Sequence, residues 1–186
     1  ILTSWNALMV GGLAHAARVF GRADWLASSR RALEFLRGTM WKDDRLLATA
    51  RDGRAHLPAY LDDHAFLLAA LLEVLQADFR ADDLAWAAEL GDALLESFED
   101  PAAGGFFFTS HDHEKLIHRP KPGHDNATPS GNGVAARALS RLAFLTGETR
   151  FQQAAERTLA LFWPAIARQP AGYASLLAAL EETLRP

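Results

Sequence analysis

Residues 61–75 read Leu61-Asp62-Asp63-His64-Ala65-Phe66-Leu67-Leu68-Ala69-Ala70-Leu71-Leu72-Glu73-Val74-Leu75. Past its first turn this stretch carries one charge, Glu73, so as a helix it is apolar on nearly every face and has to be buried. Two other segments share its plan. In the first, Trp5, Leu8, Met9, Gly12, Leu13, Ala16 and Phe20 form one stripe at helical spacing, and Ala7, Val10, Gly11 and Ala14 leave little of the opposite side for water. The third opens at Ser130-Gly131-Asn132 and runs on through Leu139 and Leu142. Polar residues cluster where each of these inner helices begins: Trp5-Asn6, Asp62-Asp63-His64 and Ser130-Gly131-Asn132. An amphipathic outer helix follows each at nearly constant distance, from Asn6 to Trp25, His64 to Leu84 and Asn132 to Phe151, which are 19, 20 and 19 residues. A recurrence of this kind marks an array of helical hairpins.

The outer helices have the opposite pattern. Trp25, Leu26, Ala32, Leu33 and Leu36 alternate helically with Arg30, Arg31, Glu34 and Arg37, and the same split returns in 84–98 and 151–166. Inner helices wrapped by outer ones bury the first set fully and the second by half. A fourth inner helix begins near Gly172-Tyr173. The expected fold is all-α: a partial (α/α) toroid of about three and a half hairpins, residues 1–186 forming one helical-hairpin domain that is a fragment of a larger ring. Leu8, Leu13, Phe66, Leu71, Leu72, Leu139 and Leu142 are the predicted core. Two short extended pieces interrupt the helices: 45–51, ending at Asp52-Gly53, and 105–109 followed by 116–118, which predicts a β-hairpin from Gly105 to His118. The stretch 119–129 holds three prolines and no periodicity, and reads as a loop.

Composition narrows function. The chain has 186 residues, 49% hydrophobic and 23% charged, with a net charge of −4; its basic residues are scattered over the outer helices, which excludes a nucleic-acid footprint. No apolar run is long enough to span a bilayer, so no membrane partner is expected. The absence of cysteine rules out disulfides and thiolate chemistry within the chain and is consistent with a reducing, cytoplasmic compartment. A three-and-a-half-hairpin array leaves one flank open, which predicts self-association into a homo-oligomer or contact with a missing N-terminal part of the same protein.

Trp5-Asn6-Ala7-Leu8, Leu61-Asp62-Asp63-His64-Ala65-Phe66, Gly104-Gly105-Phe106-Phe107-Phe108-Thr109 and Asp125-Asn126-Ala127-Thr128-Pro129-Ser130-Gly131-Asn132, in this order, resemble the C-terminal helical region of the thioredoxin-domain-containing, spermatogenesis-associated family. That resemblance implies an (α/α) toroid similar to six-hairpin glycosidases and N-acylglucosamine 2-epimerases, preceded by a thioredoxin-like domain that this chain lacks. The chain departs from the commoner family pattern at Asp62, His64, Asn126 and Gly133, where Glu, Tyr, Gly and Ser are usual.

The helix starts hold the site candidates. A helix N-terminus exposes unpaired N–H groups and partial positive charge, so Ser4, Asp62 and Ser130 read as N-caps and Asn6 and Asn132 as partners of loop carbonyls; the same ends suit hydroxyl-rich ligands. If all the starts open on one mouth, Trp5, Asn6, Asp62, Ser130 and Asn132 bind a sugar there. Trp5 lies in the apolar stripe, which predicts core packing, with a sugar-stacking platform as the alternative. Glycoside hydrolysis needs two carboxyl groups, for which Asp63 and Asp125 are the catalytic candidates; epimerisation needs two groups that remove and return a proton, for which His64 and His124 are. A non-catalytic scaffold is the third reading. His15 reads as a buried histidine, and His111 and His113 as solvated. Neither a metal nor a cofactor is expected.

Overall fold

The structure, a computed structural model, describes residues 1–114 and 116–185. Seven α-helices are present among the described residues, with one π-helical turn, one 3₁₀ turn and a small antiparallel sheet. No helix among the described residues is long and apolar enough to cross a membrane. The chain forms two compact units, Ile1–Leu90 and Gly91–Pro186, each with its own core.

In the first unit α1 (Thr3–Phe20) and α2 (Ala23–Phe35) form a hairpin. Gly21 closes α1 in the left-handed region at φ 66°, where a side chain would be strained, and its N–H bonds back to Ala17. α2 returns antiparallel: the buried Ser29 hydroxyl donates to the Val10 carbonyl at 2.9 Å. A π-helical turn, Leu36–Met40, ends α2 and leads into a three-stranded meander. Its strands are β1 (Trp41–Lys42), β2 (Arg45–Arg51) and β3 (Arg54–Pro58), with Trp41 opposite Leu46 and Thr49 opposite His56. Both turns have positive φ, Asp43 and Asp44 in one, Asp52 and Gly53 in the other, as two-residue hairpins require. On β2 the alternate residues Leu46, Ala48 and Ala50 are buried. The meander delivers the chain to α3 (Leu61–Ala77), which runs parallel to α1, as Gly11 lies against Ala70 and Glu73 faces His15 and Arg18. Twelve of its residues are buried, as 61–75 predicts. At the start of α4 (Ala81–Phe98), Trp86 is fully buried edge-on to Trp41 at 6.2 Å.

The second unit holds the end of α4, where Gly91 leaves no room for a side chain: a Cβ there would lie 2.7 Å from Leu142 and 2.8 Å from Phe151. α5 (Gly131–Thr146) and α6 (Thr149–Arg168) form a hairpin closed by Gly147 at φ 76°. After a 3₁₀ turn, Pro170–Gly172, α7 (Ala174–Leu184) runs parallel to α5, with Gly133 against Ser175 at one end and Glu182 clamped by Arg137 and Arg141 at the other. Leu139, Leu142, Phe106 and Phe151 are fully buried.

Several expectations are corrected. Leu8 is exposed and Leu13 half-buried, because α1 buries the small residues Thr3, Ala7, Val10, Ala14 and Ala17 instead and thereby approaches its neighbours closely. Trp5 is 67% exposed, so it is no core residue. His15 is exposed and pairs with Glu73 at 3.3 Å. The β-hairpin expected over 105–118 is absent among the described residues; Lys115, which falls within it, lies outside them. Gly104 and Gly105 both take positive φ and turn the backbone out of an extended path, Phe106 makes only a bridge to Glu99, and Phe108 bonds to Pro120, a residue without an N–H to continue a ladder. The sheet forms at 41–58 instead.

Candidate functional site

Each unit ties two inner-helix starts together with one aspartate. In the first unit Asp63 is the third residue of α3. Its Oδ2 accepts the Tyr60 N–H at 2.9 Å, the backward reach expected of an acid at this position, and its Oδ1 accepts the Ser4 N–H of α1 at 2.9 Å. Burial pushes the Asp63 carboxyl up, against these hydrogen bonds, which hold it down. Asp63 is therefore the group that fixes α3 to α1. Ser4 and Asp62, expected as caps, are not: the N-caps are Leu2 and Tyr60.

Asp62, one residue away, has no such duty. Its Oδ1 is buried without a hydrogen-bond partner, and burial, reinforced by the charge of Asp63, raises its carboxyl to about 6. No cation contributes to that balance. A carboxyl in this state is half-protonated near pH 6 and can give or take a proton at physiological pH, which an ordinary aspartate does poorly. His64 is buried, with Nδ1 3.1 Å from the Tyr60 carbonyl; since a carbonyl only accepts, Nδ1 carries the proton. Desolvation lowers its pKa to about 4, so the ring is neutral at pH 7. Asn6 donates to the Leu2 carbonyl at 2.7 Å. Trp5 and Asp62 each stand one residue from the Ser4–Asp63 bond, Trp5 presenting its ring to solvent.

In the second unit Asp125 repeats the device. Its Oδ1 accepts the Ser130 N–H at 2.8 Å and the Ser175 hydroxyl, and its Oδ2 accepts the Ser175 N–H at 2.9 Å. Burial pushes this carboxyl up, but the donors from Ser175 and Ser130 prevail and hold it below the ordinary aspartate value. Ser130 is the N-cap of α5, accepting from the Gly133 N–H. Asn132 is fully buried: its Oδ1 accepts the Phe106 N–H at 2.7 Å and its Nδ2 donates to Phe106 and Pro122 carbonyls, both at 2.9 Å. It pins Phe106 and Pro122 to α5. His124 is exposed; its Nδ1 donates to the Asp125 carbonyl at 2.7 Å and its ring stands edge-on to Tyr173.

The structure thus brings Trp5, Asn6, Asp62, Asp63 and His64 to the paired starts of α1 and α3, and His124, Asp125, Ser130 and Asn132 to the paired starts of α5 and α7. Two partners escaped sequence reasoning, Tyr60 and Ser175. The spacing from Tyr60 to Asp63 is the local signal that could have revealed the first; Ser175 lies fifty positions from Asp125 and has none. Among the described residues no group of His, Asp and Glu has the arrangement to hold a metal ion.

No protein-family model matches the chain. Mouse spermatogenesis-associated protein 20 is 30% identical over 199 residues, covering all of this chain, and the human protein is 29% identical over the same length. The chain spans 25% of the length of these relatives. Among solved structures, cellobiose 2-epimerase from Spirochaeta thermophila superposes with a TM-score of 0.69 at 20% identity, over 87% of this chain and 42% of that one. An inactive variant of the α-1,6-mannanase of Salegentibacter sp., bound to α-1,6-mannotetrose, superposes with a TM-score of 0.71 at 15% identity, over 87% and 47%. Over its whole length the chain is therefore similar to part of spermatogenesis-associated protein 20, as its motifs imply, and its fold is shared with carbohydrate-active (α/α)-toroid enzymes.

Proposed function

We propose that this chain is part of a carbohydrate-active (α/α) toroid in which Asp62 transfers the proton and Trp5 offers a stacking face for the sugar. The observation that carries this reading is Asp62: a carboxyl with one buried, unpartnered oxygen and a pKa near 6, beside an aspartate that is fully engaged in holding two helices. A carboxyl kept partly protonated is what leaving-group protonation of a glycoside demands, and also what proton return to the carbon beside a sugar carbonyl demands. The roles first expected of Asp63 and Asp125 pass to structure, since each directs its oxygens at two or three donors. His64, neutral and tied at Nδ1, supplies shape and a fixed dipole at the same helix start. The neighbours' substrates support the ligand class: the mannanase variant was captured with α-1,6-mannotetrose, and it was made inactive at two consecutive aspartates; Asp62-Asp63 is likewise a consecutive pair.

The test is a thermal-shift panel of neutral mono- and disaccharides, cellobiose and α-1,6-mannobiose among them, on the complete polypeptide that contains this chain, followed by turnover assays of any sugar that binds. A ligand selective for the native state raises the melting temperature. Asp62→Asn should keep that rise and lose turnover; Trp5→Ala should lose the rise. Turnover equal to the parent in Asp62→Asn removes the proton-transfer role, and a flat panel removes the sugar.

A further inference from the structure

Leu57, on β3, departs from what its strand asks of it. Its φ is 65°, in the left-handed region, where a bulky apolar residue is strained. The other non-glycine residues with positive φ, among those described, are Asp43, Asp44 and Asp52, aspartates in tight turns that tolerate it. Leu57 also precedes Pro58, and the residue before a proline is pressed toward extended backbone. The ladder does not require the departure: His56 stays opposite Thr49, Pro58 opposite Leu47, and the Ala59 N–H bonds to the Leu46 carbonyl at 3.0 Å, so the register is the same on both sides. By that register Leu57 belongs with Ala55 and its partner Ala50 on the buried face of β2. The left-handed turn takes it off that face, and Leu57 is 55% exposed. A leucine that alternation would bury is thus held out in water at a backbone cost, with no burial to offset it.

The departure falls where α1 and α3 begin. Leu47, the partner of Pro58, accepts the Thr3 hydroxyl at 2.6 Å, and the next residue, Ser4, is fastened to Asp63. Tyr60, three positions past Leu57, is the N-cap of α3. Strain of this kind persists where the surrounding structure fixes it, and it gathers at ligand clamps. From the strain and its place, we infer that Leu57 is a specificity-determining residue of the Asp62 site, an apolar wall for the C–H face of a neutral sugar and a second apolar contact besides the Trp5 ring. The inference rests on the sugar reading of that site. It adds the reason for the strained backbone: a relaxed strand would return the side chain to the core and leave the sugar without its wall.

The parent, Leu57→Asn and Leu57→Met are compared in the complete polypeptide, with cellobiose and α-1,6-mannobiose as probes. Asparagine takes the left-handed region more readily than leucine, so without sugar Leu57→Asn should melt at least about 1 °C above the parent. The same variant should bind the sugar about tenfold more weakly, through loss of part of one apolar side chain's burial. Leu57→Met keeps an apolar side chain of similar volume and should bind within a few-fold of the parent. A melting temperature of Leu57→Asn at or below the parent's overturns the inference, because no strain was then relieved. Binding by Leu57→Asn equal to the parent's overturns it too, as does Leu57→Met binding as weakly as Leu57→Asn. Each of these results leaves the sugar reading standing, whereas a parent that binds neither probe removes that reading and this inference together.

Discussion

Asp62→Asn should make this protein more stable at pH 8. The carboxyl has an ordinary value of 3.8 and is raised to about 6 on folding, by burial first and then by the adjacent Asp63. The folded state therefore binds this proton more tightly than the unfolded one, and between those two pH values it carries more of it. Stability falls as pH rises through the window, with the penalty absent below 3.8 and complete above about 6. The size follows from the shift: about 3 kcal/mol at full ionisation, less up to about 1 kcal/mol that the partial positive charge of the α3 start returns to an anion in its first turn. About 2 kcal/mol remains. Asparagine keeps the shape and carries no charge, so urea unfolding should show the variant about 2 kcal/mol more stable at pH 8 and equal to the parent at pH 4. Asp63→Asn is the contrast. There an amide N–H₂ replaces one of two oxygens that accept backbone N–H groups, and the loss should be about 1–3 kcal/mol at pH 8. Consecutive, chemically identical substitutions then have opposite signs. A pH-independent difference for Asp62→Asn, or a loss of stability at pH 8, would refute the reasoning that Asp62 is held against its ionisation.

Three further outcomes rest on packing and polar networks. Asn132→Leu strands the Phe106 N–H and carbonyl in the interior and takes from the Pro122 carbonyl one of its two donors, leaving it Ser130, and should cost about 2–4 kcal/mol in chemical denaturation. Arg30→Met leaves Asp83, 7% exposed and bonded to Arg30 at 2.7 Å, with the more distant Arg37 at 4.0 Å as its cation, and should cost about 3 kcal/mol in urea unfolding. Gly133→Ala would set a Cβ 2.2 Å from the Ser175 hydroxyl and should lower the melting temperature by overpacking worth about 1–3 kcal/mol, a loss that Ser175→Gly in the same chain should partly restore.

What could be read from the sequence was whatever depended on periodicity. The 61–75 run is buried because no face of it accepts water, the outer helices begin where the repeat spacing puts them, and Asp52-Gly53 turns β2 into β3. Periodicity does not say which apolar face of a helix is covered. On α1 the large residues suggested core, yet the covered side carries the small ones, since close approach of α1 to α3 needs Gly11 against Ala70. Nor does it separate Asp62 from Asp63. Adjacent residues on a helix start point about 100° apart, and only the third position reaches back to the N-cap; the geometry of one turn decides which of two identical acids is a fastener and which is left over. The hairpin expected over 105–118 failed for a different reason: three phenylalanines have the propensity for a strand, but positive φ at Gly104 and Gly105 and the lack of an N–H at Pro120 withhold the ladder a strand needs.

The two aspartate fasteners also bear on how sites are sought in helical repeats. Asp63 binds the second residue of α1, a serine, and Asp125 binds the second residue of α7, also a serine. Each thereby sets two parallel helices in register at the end where both expose unpaired N–H groups. Parallel inner helices align their dipoles, so bringing two starts together gathers partial positive charge, and a carboxylate between them offsets it. Both N–H groups are satisfied at once, which an alanine at either position would leave in want of a partner. Acidic and polar residues at such starts are thus explained without any ligand, and their presence alone is no sign of chemistry. Function is sought in the residue that this requirement leaves over. In the first unit that residue is Asp62, whose oxygen is buried, bonded to nothing and raised toward neutral pH. In the second unit Ser130, Asn132 and Asp125 are all engaged in holding α5, its loop and α7, so the chemistry proposed for this chain rests on the start of α3.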